Sequence, residues 1–334
     1  MRVVVVAESF APRSDETADA ARHLVDQFLE LGHDLLVVTV GPGMASYRGV
    51  EVIRTRRLIP AAALTQRLVN FQPDALLAIS PRVLGAVALT SAQRLGIPSV
   101  SINASAPIAA AVRSNRHLVS SQSAISTLAA LNVGAHLWLP GVDLDAHHPG
   151  MRDEALRASW AKGCQLVVGF AGTAAKDKVV ARLTKVAAMD DVRLVLIGVD
   201  SPTIAGAKTT SAPTGLDRAR AIASCDVVIQ ARKRDELVPG VRQALASGVP
   251  VVGFDAAGTH EAVAHEFNGL LVPFQRDADE PGLRGSLRRL LDEPDLRATL
   301  TAQARSSVSD RPWSTAAADI NAHLEAIRPA SLAV

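Results

Sequence analysis

Short apolar, β-branched runs alternate with longer stretches of helical period along the whole chain. In the first half the runs cover residues 3–7, 35–39, 75–79, 99–102 and 117–121. The first three are apolar at nearly every position instead of every second one, which predicts strands buried on both faces of a parallel sheet. Residues 19–31 place Ala20, Leu24, Phe28 and Leu31 near helical spacing, and Gly32 stands where a C-cap belongs. Residues 83–95 predict another helix, closed by Gly96-Ile97-Pro98. The second half repeats the rhythm, with strands at 166–171, 193–198, 226–231, 249–255 and 269–273. Helices are predicted there at 178–188, 217–224, 241–247 and 282–291.

Strands separated by helices in both halves predict an α/β protein with two doubly wound, Rossmann-like parallel sheets. The join falls near Leu139-Pro140-Gly141-Val142-Asp143, ahead of the polar His147-His148-Pro149-Gly150 stretch. The expected division is an amino-terminal domain at 1–142, a second at 143–312, and a tail at 313–334. That tail carries a last helix at 315–327, expected to lie back across the first domain. Open parallel sheets bind ligands beyond the carboxyl ends of their strands, so function is expected in a central cleft between the two lobes.

Composition narrows the function classes. At 334 residues, 48% of them apolar, the chain can bury two cores. Lys plus Arg number 35 against 33 Asp plus Glu, which speaks against a dedicated nucleic-acid binder. The opening MRVVVVAESF is too short for a signal peptide or membrane helix and reads as the first core strand. No run reaches the ~20 apolar residues of a membrane span, so a cytoplasmic protein is expected, with peripheral membrane contact left open. Cys164 and Cys225 lie far apart and are expected as free thiols. Metal chemistry has little support: His147 and His148 are adjacent, and neither cysteine has a partner at zinc-like spacing. No strand is followed by G-x-G-x-x-G, and no nucleophile elbow occurs. No metal and no cofactor are expected.

Two segments can carry chemistry. The first runs from Phe170 through Gly172, Thr173 and Asp177 to Lys178, a strand ending in a small-residue loop that opens a helix. Such a loop lets backbone N–H groups approach a phosphate, and Lys178 adds a full charge; the alternative is a tight turn. The second begins at Arg232-Lys233-Arg234-Asp235-Glu236, passes Leu237 and Val238, and becomes a helix through Gln243 to Gly248. A basic cluster at Arg54-Thr55-Arg56-Arg57 reads as surface.

In this second segment the run ALASGVPVV, preceded eight residues upstream by an acidic residue, resembles the retaining glycosyltransferases of family four. MRVVVVAESFAP, LGHDLLVVTVGPG, LPGVDLDAHHPG and AAGTHEAVAHEFNGLLVPF are similar, in order and spacing, to segments of actinobacterial mannosyltransferase-like members. The resemblance covers nearly the whole chain and implies the GT-B fold, a nucleotide-diphosphate sugar donor (GDP- or UDP-linked) and metal-independent transfer with retention. The acceptor it implies is an unidentified small molecule or lipid, with a protein partner left open.

Family members carry Glu, seven residues, then Glu. Asp235 and Gln243 hold those positions here. Asp235 would lie against the donor sugar, its carboxylate about an ångström short, with Glu236 a substitute if the loop slips. Gln243 would accept from the ribose hydroxyls through its amide oxygen, without charge assistance. The N–H groups of Leu237 and Val238 match those that hold the diphosphate. The family's phosphate-binding Arg and Lys correspond to Thr173 and Lys178, so one cation is missing, and one of Arg232, Lys233 and Arg234 is expected to replace it. Asn103 sits where a His often stands over the reacting sugar. The first loop, Pro12 to Thr17, has no glycine and adds Asp15 and Glu16; these are expected to cap the following helix. Four departures leave three readings open. They are a retaining glycosyltransferase, a catalytically impaired relative that binds nucleotide sugar or partners an enzyme, and another enzyme on the same architecture.

Overall fold

The computed structural model describes the chain except residues 14, 56–60, 104–112, 173–176, 199–202, 211–214, 233–236, 274–278 and 329–334. It divides into two compact units: Met1–Pro140 with Trp313–Val334, and Gly141–Pro312.

The valine run that opens the chain forms β1 (Arg2–Ala7), with Val3, Val4 and Val5 fully buried. Parallel to it lie β2 (Asp34–Val40) and β5 (Ala75–Ile79). A short hairpin of β3 (Ser46–Tyr47) and β4 (Val50–Thr55) closes one edge, and β6 (Ser99–Ile102), β7 (Arg116–Val119) and β8 (His136–Leu137) extend the other. The sheet order is β3-β4-β2-β1-β5-β6-β7-β8. Helices α1 (Glu16–Glu30), α2 (Ala61–Phe71), α3 (Val83–Leu95) and α4 (Gln122–Ala129) pack around it. Val4 and Val6 meet Leu64, Leu68 and Leu84 on one face, while Val3 and Val5 point to the other.

Helix α1 shows why these residues become helical. Asp15 is extended and its carboxylate accepts from the Ala18 N–H, the arrangement of an N-cap. Leu24, Val25 and Phe28 then bury one stripe. The cap at the other end is Leu31, and Gly32 follows in the left-handed region at φ +75, where a side chain is disfavoured.

The second unit has the parallel strands β9 (Leu166–Ala171), β10 (Val192–Ile197), β11 (Lys208–Thr210), β12 (Val227–Gln230), β13 (Val251–Phe254) and β14 (Gly269–Val272). Their order is β11-β10-β9-β12-β13-β14. Helices α5 (Glu154–Ala161), α6 (Asp177–Ala187), α7 (Gly215–Ala223), α8 (Pro239–Ala246), α9 (Asp279–Asp292) and α10 (Pro294–Ala304) accompany them. Successive β9 residues serve opposite core layers, Val167 in one and Leu166, Val168 and Phe170 in the other. At the strands' amino ends Asp226 accepts from Arg157 (2.7 Å), Arg152 (3.0 Å) and the Val167 N–H (2.8 Å). Burial alone would raise the Asp226 carboxyl, but these donors hold it below the ordinary range.

The last helix, α11 (Trp313–Ile327), belongs to the first unit. Trp138 Nε1 donates to the Ala316 carbonyl at 2.9 Å, and His23 stacks on Trp313 at 4.9 Å. His33 pairs with Asn321 at 2.8 Å, and His323 meets Arg116 at 2.9 Å and the His136 ring at 5.0 Å. Cys164 and Cys225 are free, and Cys225 is buried. Among the described residues no helix is long and apolar enough to cross a membrane.

Candidate active site

Topology places the crevice of the second unit. The chain runs outward from β9 to β10 and β11, then returns to lay β12 on the other side of β9. The reversal opens a gap beyond the carboxyl ends of β9 and β12, where doubly wound sheets take their ligands. Gly172 leaves β9 at this gap and Arg232 leaves β12. A Cβ built on Gly172 would stand 3.8 Å from Arg232 Nη2. Helix α8 enters from the same side, and so closely that a Cβ on Gly240 would collide with the Ala171 carbonyl oxygen. Only glycine permits that approach.

The turn into α8 is strained. Val238 occupies the N-cap at φ 37 and ψ 46 with no side-chain cap bond, and Pro239 follows in the first turn. A β-branched residue there is costly, and such strain collects at ligand-binding turns. Val238 and Leu237 are both buried, and among the described residues the Leu237 N–H has no hydrogen-bond partner. One turn into the helix, Gln243 is buried with its Oε1 accepting from Arg218 Nε at 2.9 Å.

The fold therefore brings together Gly172, Arg232, Leu237, Val238 and Gln243. Lys178 lies in the first turn of α6, the helix that follows Gly172, and is exposed. Thr173, Lys233, Arg234, Asp235 and Glu236 lie outside the described residues. The amide oxygen of Gln243, expected to accept from ribose hydroxyls, takes one hydrogen bond from Arg218, a guanidinium donor 25 positions away in sequence, and keeps a second lone pair. Sequence reading missed Arg218 because it lies among polar positions of a predicted helix, beside Asp217 and Arg220. It also missed Arg242, 4% exposed, whose Nε has no partner. Burial, then Arg311 nearby, pushes the Arg242 guanidinium down to about 10, against the pull of Glu261 and Asp310.

The first unit has its own crevice, between β1 and β5, and fills it differently. Glu8 follows β1, and its Oε1 accepts from the N–H groups of Arg82 (2.8 Å) and Gly85 (3.0 Å) at the start of α3. A helix amino terminus that would suit an anion is occupied by the chain's own carboxylate. Asp15 is likewise committed to α1 and to the Ser9 hydroxyl. Asn103 stands at the end of β6 at φ 50, 3% exposed. Its Oδ1 accepts from the Ser120 N–H (2.9 Å) and Oγ (2.8 Å), while Nδ2 is buried without a partner. Arg54, read as surface, is half-buried and donates to the carbonyls of Met44 (2.8 Å), Pro42 (3.3 Å) and Ala11. Arg56 and Arg57 lie outside the described residues.

A separate hollow of about 920 Å³ runs beside β14, where His260 and Asp255 pair at 2.6 Å; it includes none of the candidate donor residues. Among the described residues no group of three or more His, Cys, Asp or Glu can hold a metal ion.

The family model described as Glycosyl transferases group 1 matches residues 165–293, the span that builds the second crevice. A GDP-mannose-dependent alpha-mannosyltransferase of Mycolicibacterium smegmatis is 32% identical over 98% of this chain and 98% of its own. One of Corynebacterium glutamicum is 28% identical over 94% of this chain and 86% of its own. The structure of Anabaena HepE in complex with UDP-glucose superposes with a TM-score of 0.78 at 16% identity, covering 98% of this chain and all of its own. A glycosyltransferase of Rickettsia africae reaches 0.80 at 12% identity, covering 99% of each chain. Those two show the fold alone, and the fold is GT-B: two Rossmann-like parallel-sheet domains. A relative above 30% identity along essentially its full length decides the rest, and the chain belongs to the glycosyl transferases of group 1, enzymes that use nucleotide-sugar donors.

Proposed function

We propose that this protein transfers mannose from GDP-mannose, with retention of configuration and without a metal, to a hydroxyl of a small-molecule or lipid acceptor. The sugar and base come from what the mannosyltransferase relatives are named for. One observation carries the donor site: the approach of Gly240 to Ala171, which joins the loop after β9 to the start of α8 beside Arg232. In front-face transfer the bond from the sugar's anomeric carbon to the β-phosphate oxygen breaks. The acceptor oxygen bonds to the same face, and its proton passes to the departing diphosphate. Stabilising charge on that diphosphate is the largest demand, and Arg232, Lys178 and the Leu237 amide are the groups we assign to it. By the resemblance we also assign Asp235, with Glu236 as its substitute, and Asn103 to the donor sugar; the Asn103 Nδ2 has no partner among the described residues.

The test is to incubate the protein with radiolabelled GDP-mannose or UDP-glucose and a panel of polyol and polyprenyl-phosphate acceptors, with and without EDTA. The expected product is an α-mannoside formed from GDP-mannose at the same rate in EDTA. Label moving only from UDP-glucose would overturn the choice of donor, and a β-linked product the stereochemistry. Tight nucleotide binding with no transfer to any acceptor would instead favour a nucleotide-sugar binder or partner subunit.

A further inference from the structure

We propose that Arg218, oriented by Gln243, is a third cation of the diphosphate site beside Arg232 and Lys178; this rests on the donor reading above. Position 173, where the resemblance implies an arginine, is threonine here. A diphosphate entering the crevice therefore needs positive charge from elsewhere, and the structure offers two guanidinium groups on either side of β9. Arg232 arrives from β12 and approaches Gly172. Arg218 arrives from α7, on the side of β10. A Cβ built on Gly198, the residue after β10, would stand 3.8 Å from Arg218 Nη1 and 3.9 Å from the Gly172 carbonyl oxygen. Both strand ends beneath the arginines are glycine, and Gly198 sits at φ +134, so no side chain of either residue stands between the backbone and a ligand.

The pairing with Gln243 explains the residue type at that position. Its amide oxygen takes the Nε hydrogen of Arg218 at 2.9 Å, fixing the plane of the guanidinium. The Nη1 edge is turned toward Gly198, and a planar fork so held suits the paired oxygens of a phosphate. A glutamate at 243 would make the same hydrogen bond but add a negative charge next to the cation and the incoming diphosphate. Glutamine orients Arg218 without opposing its charge. The missing carboxylate at 243 and the missing arginine at 173 thus become one exchange. The phosphate cation moves from the loop after β9 to α7, and the residue facing it becomes neutral.

Calorimetric titration of the full chain with GDP, UDP and inorganic pyrophosphate tests this. Arg218→Gln should weaken every diphosphate that binds the wild type by at least about tenfold, the loss typical of a charged hydrogen-bonding partner. Arg218→Lys should recover only part of it, since an ammonium lacks the fork. Gln243→Glu should weaken pyrophosphate, a probe without ribose. Unfolding of the ligand-free variants should match the wild type, which separates a ligand contact from a structural one. Wild-type binding with Arg218→Gln within twofold of it would overturn the assignment of Arg218 alone, as would a gain of pyrophosphate affinity in Gln243→Glu. A wild type that binds none of the three probes would overturn the donor reading as well.

Discussion

Arg242 and Gln243 are neighbours on α8, yet they stand in opposite electrostatic circumstances. Gln243 is neutral and its oxygen accepts from Arg218, whereas Arg242 is a cation sealed in the interior with an orphaned Nε. Moving a guanidinium out of water costs several kcal/mol unless its donors are matched. Glu261 and Asp310 offset only part of that cost, because the group still titrates lower than an exposed arginine. A protein conserving stability alone would carry a long apolar side chain here. Arg242→Met is therefore expected to stabilise the folded state by about 1–4 kcal/mol, read as a raised unfolding temperature in scanning calorimetry. A lowered one would show that the guanidinium is matched after all. Neither this nor the role of Arg218 was legible in the sequence. An arginine in a polar helix pattern looks solvated, and only the neighbours that the fold supplies say otherwise.

At the scale of elements, the strand ends and helix starts decide where chemistry can occur. The α8 start depends on Gly240 lying against Ala171. Gly240→Ala should push the helix away from β9, reducing nucleotide affinity by at least about tenfold by the misplacement argument; affinity measured by calorimetry within twofold of wild type would contradict it. The α11 helix is docked by three histidine contacts along its length, and two of those histidines are disposed to stay neutral. His33 is lowered by burial, and also by the nearby amino terminus, against the pull of Asn321 and Glu325. His323 is lowered by burial, then by His136 and Arg116, with Asp319 opposing. Behind the same edge His117, bonded to Ser101 and Ser114, is lowered by burial and His136. The sign follows directly. Below 6.5 the unfolded chain takes up these protons more readily than the folded one, so acidification favours unfolding, while above 6.5 the contribution is fully present. The unfolding temperature of the first unit should fall as pH drops from about 7 to about 5, and His323→Gln should flatten that slope in a thermal scan series.

Central strands and their flanking helices were legible because a parallel sheet buried on both faces writes an unbroken apolar run. The β3–β4 hairpin, β8, β11 and the helices α2, α4, α5 and α10 were not foreseen. Two- and three-residue strands carry no period, and α10 buries only Leu300 and Ala304, too few for an apolar stripe. These elements are held by their neighbours more than by their own pattern.

For the whole molecule the two units share an architecture and differ in the charge at their crevices. The first answers its helix amino terminus with Glu8; the second surrounds its gap with Arg232 and Arg218. On the donor reading proposed above, a diphosphate is expected at the second crevice, and each carboxylate close to it at the first would oppose it by roughly 1–4 kcal/mol. GDP at a hundred times its dissociation constant should stabilise its binding unit by about 2.7 kcal/mol. Hydrogen exchange should show that protection in peptides spanning 166–172 and 215–246, and none around Glu8 and Asp15. Equal protection at both crevices would refute the division of labour.

The sequence by itself determined the architecture, the Asp15 cap, and the strand-to-helix segments that meet at the second crevice. Each follows from local period, or from chemistry between residues a few positions apart. Tertiary structure alone decided which arginines stand beside the strand ends of the second crevice, that Gln243 accepts from one of them, that Glu8 takes the helix N–H groups at the other crevice, and that Arg242 is buried. Those outcomes depend on strand order, and a reversal of order sets side by side residues that the linear pattern keeps dozens of positions apart.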